Sequence, residues 1–108
     1  MSELAVLFNG EPMGTLTQAN GQNSFKYNDE WVLRADATPL SLSMPLRSGI
    51  YKAKVVNSYL WGLLPDNGEV LERWGKEYKA SPRNPFGLLR AVGRDVAGAV
   101  SFAGGPQR

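Results

Sequence analysis

The sequence has 108 residues, 43% of them hydrophobic and 20% charged, with a net charge of +2, and this length allows one domain with a modest core. It contains neither cysteine nor histidine, which excludes disulfides, thiolate metal sites and every catalytic arrangement built on a histidine base. No segment approaches the roughly 20 apolar residues of a membrane span or the pattern of a signal peptide, so we expect a cytoplasmic protein without membrane contacts.

The basic residues are dispersed along the chain. Twelve Lys and Arg residues lie among ten Asp and Glu residues, and the nearest approach to a cluster is Lys52 with Lys54. Proteins that bind nucleic acids usually concentrate their basic residues on one stripe. We therefore expect no direct contact with nucleic acid, and the missing histidine and cysteine lead us to expect no metal and no cofactor.

The first quarter of the sequence predicts an antiparallel meander. Its strand-like segments, which are apolar or alternate apolar with polar residues, are 4–8, 13–17 and 24–27. Asn9-Gly10 and Asn20-Gly21 separate them, and Asn-Gly is the strongest short signal for a tight hairpin turn. Trp31 follows in a short helical or extended piece.

The segment PLSLSMPL, which begins at Pro39, alternates with a period of two. In a strand this spacing would place Leu40, Leu42 and Met44 on one face and the serines on the other. Proline cannot donate to a sheet ladder, so Pro39 and Pro45 limit the predicted strand to a short or edge position.

An amphipathic helix is predicted next. Its apolar residues recur at helical spacing on one face: Val56, Tyr59, Leu60, Leu63 and Leu64. Pro65 ends the pattern because proline cannot continue a helix. A second helix follows, with Asp66 or Asn67 as its N-cap.

The second helix has its own apolar face, made of Val70, Leu71, Trp74 and Tyr78. Trp74 lies in the middle of this face, so we predict that it is a core residue. A third helix is predicted from Asn84 at the N-cap and Pro85 at the first helical position, and it ends before Gly93. Residues 97–102 predict a closing strand.

These elements predict an α+β fold: a small N-terminal antiparallel or mixed sheet with about three helices packed on one face. One domain is expected over residues 1–103, followed by a flexible C-terminal tail over residues 104–108.

The remaining polar groups do not form a catalytic motif. The segment that begins at Gly93 reads GRDVAG, but it lacks the Gly-Lys-Ser/Thr of a phosphate-binding loop and the following Asn of a kinase catalytic loop. A tight turn between a helix and a strand explains it better. Asp66 and Glu69 lie close in sequence, and helix capping explains them better than acid–base chemistry. We therefore expect no enzymatic activity.

Three segments are more specific than the rest of the chain, namely PLSLSMPL, the LLPD at 63–66 and the GRDVAGAV at 93–100. With the first Asn-Gly turn and Asn84-Pro85-Phe86, they resemble the N-terminal subdomain of HipA-type serine/threonine kinases, the toxins of bacterial persistence modules. The resemblance runs in order over roughly residues 3–102. The kinase itself, with its nucleotide-binding and catalytic parts, is missing from these 108 residues.

The resemblance implies a stand-alone version of this subdomain, similar to the HipS-like antitoxins of tripartite HipBST-type modules. In such modules the kinase lacks the subdomain, the small protein neutralises it, and a helix-turn-helix DNA-binding protein completes the set. An antitoxin that binds a HipA-like kinase is therefore the leading hypothesis. The alternatives are an accessory subunit that completes the kinase without inhibiting it, and a co-repressor within a DNA-bound complex.

Trp61 is the predicted centre of the partner-binding surface. At about 100° per residue it lies roughly 130–150° from the centre of its helix's apolar stripe, so we expect it to face solvent. Exposed tryptophan is frequent among the residues that dominate binding energy. Resembling sequences carry an acidic residue and Asn where this chain has Trp61-Gly62. Gly62, Asn57, Ser58 and Asp66 complete the predicted partner-binding set.

Overall fold

The computed structural model describes residues 2–64, 67–92 and 100–104. Within them a five-stranded antiparallel sheet has the strand order β4-β3-β2-β1-β5. The elements in chain order are β1 (Ser2–Phe8), β2 (Glu11–Ala19), β3 (Gln22–Tyr27), α1 (Asp29–Val32), β4 (Ile50–Tyr51), α2 (Ala53–Leu63), α3 (Gly68–Tyr78), α4 (Pro85–Val92) and β5 (Val100–Gly104). The predicted α+β class is confirmed.

The predicted meander is confirmed, and its turns have the expected backbone. Asn9 and Gly10 have φ angles of 49° and 82°, and Asn20 and Gly21 have 54° and 75°. Two successive residues with positive φ are the signature of the hairpin turn whose twist matches that of the flanking strands. The turns therefore pair Phe8 with Glu11 and Ala19 with Gln22.

One face of the sheet is buried and the other is open. Along β1, Leu4 and Val6 are buried while Glu3 and Ala5 are exposed, which is the period of two that a half-buried strand requires. Helices α2 and α4 contribute the opposite side of the core. The largest fully buried side chains include Tyr27, Phe25, Phe86, Leu4, Met13, Leu16, Met44, Leu60, Leu88 and Leu89.

The predicted strand over residues 39–46 is wrong. The segment forms tight turns with a single bridge between Ser41 and Met44, and Leu42 is 98% exposed while Met44 is 0% exposed. The Ser41 hydroxyl accepts a hydrogen bond from the Ser43 N–H at 3.0 Å, so a local turn replaces the sheet ladder. Alternation of leucine and serine therefore marks a turn here.

The prediction that Trp74 is a core residue is also wrong, because Trp74 is less buried than expected. Trp74 is only half-buried against the edge of the core, and Tyr78 is 41% exposed. The buried residue of α3 is Gly75, where an added Cβ would lie 2.7 Å from the carbonyl oxygen of Ala80. The chain folds back over Gly75 after Lys79 takes a left-handed conformation with φ of 57°. The most deeply buried side of α3 is therefore the side that carries Gly75.

The helix starts agree with the sequence where they can be compared. Asn67 caps α3, its side-chain oxygen accepting from the N–H of Glu69 at 2.8 Å and of Val70 at 3.4 Å, and α4 begins at Pro85. Strand β5 includes Gly104, the first residue of the predicted tail. The predictions for residues 65–66, 93–99 and 105–108 fall outside the described residues. No helix in the described ranges is long and apolar enough to cross a bilayer.

Candidate partner-binding surface

Helix α2 has two faces of different character. Val56 and Leu60 are 1% and 0% exposed and point into the core, whereas Trp61 is 38% exposed. The expected exposure of Trp61 is confirmed. Trp61 is exposed because it lies about 100° further round the helix than the buried Leu60. Trp61 is one of the residues that line a surface cleft.

The Trp61 cleft is an open, mainly polar depression of about 390 Å³. Strands β2 and β3, helix α2 and the start of α4 meet around it. Its lining residues are Gln18, Gly21, Asn23, Asn57, Trp61, Arg83, Asn84 and Pro85.

Four side-chain amides form a hydrogen-bonded chain across the Trp61 cleft. Gln18 Nε2 donates to Asn23 Oδ1 and to Asn84 Oδ1, both at 3.0 Å. Asn23 Nδ2 in turn donates to Asn57 Oδ1 at 2.8 Å. These bonds link α2 and the residue before α4 to strands β2 and β3.

Asn23 is the key member of this chain because it is 5% exposed. A buried amide without partners costs about 1–3 kcal/mol, and Asn23 uses both its oxygen and its nitrogen within the network. The side chain of Asn57 faces Asn23 because it accepts the hydrogen bond from the Asn23 amide nitrogen. Trp61 lies four residues later, on the same side of the helix, and its position is set by the same anchoring.

The chemistry of the Trp61 cleft suits binding. It offers an aromatic ring, several amides and the exposed guanidinium of Arg83, and no carboxylate is among its described lining residues. Across the described ranges, no three His, Cys, Asp or Glu side chains come together in a way that could hold a metal ion.

The structure divides the predicted partner-binding residues between two depressions. Asn57 and Trp61 meet in the Trp61 cleft, and Gly62 is exposed beside it. Ser58 is exposed but faces a separate depression, lined by Ser43, Lys52, Lys54, Val55 and Ser58. Asp66 falls outside the described residues.

Sequence reasoning missed Gln18, Asn23, Arg83 and Asn84 as neighbours of Trp61. One signal was available, because Asn23 shares the alternation of Phe25 and Tyr27 along β3 and therefore points inward. A buried asparagine requires hydrogen-bond partners. The identity of those partners could not be read from the sequence, since Gln18 and Asn84 are 66 positions apart.

Comparisons with known proteins place the chain in a family. A family model described as the HipA N-terminal domain matches residues 4–103. The "Putative kinase Y4mE" of Sinorhizobium fredii is 34% identical over 100 residues, which is 92% of this chain and 24% of the relative. The serine/threonine-protein kinase toxin HipA of Shewanella oneidensis is 34% identical over 76 residues, 70% of this chain and 17% of the toxin. The chain thus spans a quarter or less of these relatives.

Solved structures agree with the sequence relatives. A chain of the Shewanella oneidensis complex of HipA, HipB and operator DNA superposes with a TM-score of 0.79 at 27% identity, over 93% of this chain and 23% of that chain. A structure of the N-terminal domain of HipA toxin covers 100% of this chain and 96% of its own, with a TM-score of 0.68 at 19% identity; this likeness concerns the fold alone. The chain belongs to the HipA N-terminal domain family, and it is related to the toxin kinase of a toxin–antitoxin system.

Proposed function

We propose that this domain is a cytoplasmic antitoxin, which binds a HipA-like serine/threonine kinase lacking its own N-terminal domain and holds it inactive. The family match supports the choice of partner, since the relatives carry this domain within a kinase. The observation that carries the binding role is Trp61, 38% exposed beside a fixed network of amides. In this proposal the domain has no catalytic part and needs no cofactor.

The Trp61 cleft supplies the features of a compact binding centre. Binding energy concentrates in a few aromatic and arginine residues on well-ordered surfaces, and Trp61 and Arg83 line one cleft. The amide network lowers the cost of binding, because a wall that is already ordered loses less entropy on association. We assign Asn57 and Gly62 to the rim of this contact, and Ser58 and Asp66 to its periphery.

An accessory subunit that completes the kinase without inhibiting it is the second candidate. It is favoured by the relatives, in which this domain accounts for about a quarter of a longer chain. The complex of HipA, HipB and operator DNA supports a further role within a DNA-bound assembly, where a helix-turn-helix protein would make the DNA contacts.

Co-expression with the kinase separates the first two candidates. We expect the chain to restore growth to cells that express a HipA-like kinase lacking its N-terminal domain, and to co-purify with that kinase. A catalytically dead kinase serves as the control for binding without toxicity. Co-purification with undiminished toxicity would favour the accessory subunit. The absence of any complex would contradict both the antitoxin and the accessory-subunit proposals.

Gly62→Ala tests whether a partner approaches α2 closely. An added Cβ at Gly62 meets no atom within 4 Å, so the alanine should stabilise the free helix by about 0.5 kcal/mol. Against a packed partner the same methyl should lower affinity about fivefold or more. Gly68→Ala is the matched control, because its added Cβ also meets nothing within 4 Å and Gly68 lies outside the Trp61 cleft. Equal affinities for wild type and Gly62→Ala in a titration would exclude close contact at Gly62.

A further inference from the structure

Leu42 is the most exposed of the large apolar side chains that the described ranges contain, at 98%. Single exposed leucines are common on protein surfaces, so exposure alone is not evidence of a binding role. The setting of Leu42 is unusual because the turn that presents it is held by the core. We call residues 39–45 the Leu42 turn.

Tyr27 joins the two arms of the Leu42 turn. Its hydroxyl accepts a hydrogen bond from the Leu40 N–H at 2.7 Å and donates one to the carbonyl oxygen of Met44. Burial raises the pKa of Tyr27, so the hydroxyl keeps the proton that it donates. Tyr27 and Met44 are both 0% exposed, and the base of the turn is therefore part of the core.

Two more core aromatics fix the ends of this segment. The Trp31 indole N–H donates to the carbonyl oxygen of Thr38 at 3.0 Å, and the Tyr51 hydroxyl donates to that of Pro45 at 2.5 Å. A surface side chain on an ordered backbone loses little backbone entropy when it binds. Leu42 is thus an apolar group displayed on a rigid support.

The surface beside Leu42 is basic. Ser43, the next residue, lines the depression that also contains Lys52 and Lys54, both with exposed side chains. No carboxylate is among the described lining residues of this depression. An apolar projection beside two lysines is complementary to an apolar socket bordered by carboxylates.

A row of exposed residues on α2 connects this basic depression with Trp61. Lys54, Ser58 and Gly62 follow at intervals of four residues, which places them in one row on the helix, and all of them are exposed. Trp61 lies three residues after Ser58 and borders the same row. One partner that covers the exposed side of α2 would therefore reach both the Trp61 cleft and the Leu42 turn.

We propose that the Leu42 turn is a second docking element, which inserts Leu42 into an apolar socket bordered by carboxylates on the same kinase that contacts Trp61. This inference rests on the proposed function for the identity of the occupant. It adds an anchor at the other end of α2, and it assigns Lys52 and Lys54 to charge pairing across the contact.

The test is a titration of the kinase that lacks its N-terminal domain with wild type, Leu42→Ser and Leu33→Ser. Loss of a buried leucine contact should lower the affinity of Leu42→Ser about tenfold or more, while its melting curve stays unchanged. Leu33 is 84% exposed at the end of α1, outside both depressions, so Leu33→Ser should bind like wild type. Lys52→Gln with Lys54→Gln should weaken the salt dependence of binding.

The outcomes are distinct. Wild-type affinity for Leu42→Ser overturns the second docking element and leaves the proposed function standing. Equal losses for Leu42→Ser and Leu33→Ser also overturn it, because the effect would then be unspecific. If wild type does not bind the kinase, the proposed function fails and the kinase is not the occupant. If the free chain forms a dimer and Leu42→Ser abolishes it, the partner of the Leu42 turn is a second copy of the chain. The assignment of the kinase as that partner would then be overturned.

Discussion

Trp61→Ala is expected to lower the affinity for the kinase about thirtyfold or more, since truncation of a well-packed interfacial tryptophan typically loses 2 kcal/mol or more. The domain should remain folded. Trp61 is only 38% exposed, so its truncation also removes buried apolar area, and we expect a loss of about 1–2 kcal/mol in the free energy of unfolding. The effect on binding should therefore exceed what the change in stability explains.

Trp74→Ala is the matched control for Trp61→Ala. Trp74 is half-buried at the edge of the core and does not line the Trp61 cleft. Its truncation should lower the free energy of unfolding at least as much as Trp61→Ala does, with unchanged affinity for the kinase. The measurement is a binding titration beside a urea unfolding curve for each variant. A folded Trp61→Ala domain with wild-type affinity would remove Trp61 from the interface.

Leu60→Ala, in contrast to Trp61→Ala, should act mainly on the stability of the domain. Leu60 is 0% exposed and belongs to the core cluster between α2 and the sheet, so its truncation should cost about 2–5 kcal/mol through lost burial and the cavity left behind. Small domains have a free energy of unfolding of roughly 5–15 kcal/mol. We therefore expect a strongly lowered melting temperature or an unfolded protein.

Circular dichroism during thermal or urea unfolding measures the effect of Leu60→Ala. Leu60→Met is the control, since a swap that nearly conserves volume usually costs less than about 1.5 kcal/mol. A Leu60→Ala protein that unfolds within about 0.5 kcal/mol of wild type would show that α2 does not pack as described. Because Leu60 and Trp61 are adjacent, the two alanine variants together test the orientation of one helix.

The elements that were predicted well are those whose signals are local. The Asn-Gly pairs specify hairpin turns through their own backbone preferences, and the two turns adopted the expected conformation. The apolar spacing from Val56 to Leu64 correctly separated the buried and exposed faces of α2. Exposure of Trp61 followed from the same spacing.

The errors arose where distant residues decide the outcome. The Leu42 turn is held by the hydroxyl of Tyr27, which lies 13 positions before Leu40. The sequence of the segment itself does not predict this hydrogen-bond partner. The spacing of α3 identified its apolar side, but Gly75 lies deeper than Trp74 because the chain beyond Lys79 returns over the glycine.

The candidate site was predicted only in part for the same reason. Asn57 and Trp61 lie four residues apart on one helix, and the sequence alone places them together. The rest of the cleft comes from β2, β3 and the start of α4, which only the tertiary fold brings to α2. Ser58 was grouped with Trp61 by sequence, yet it lines the separate depression that contains Lys52 and Lys54, since the residue after Asn57 lies about 100° further round the helix.

Inhibition of the kinase by the purified domain tests the antitoxin role most directly. A HipA-like kinase that lacks its N-terminal domain would be titrated with wild type and with Trp61→Ala, and its autophosphorylation measured at each concentration. We expect wild type to suppress autophosphorylation to a saturating level, and Trp61→Ala to require about thirtyfold more protein for the same suppression. A kinase that binds the wild-type domain and retains or increases its autophosphorylation would contradict the antitoxin role.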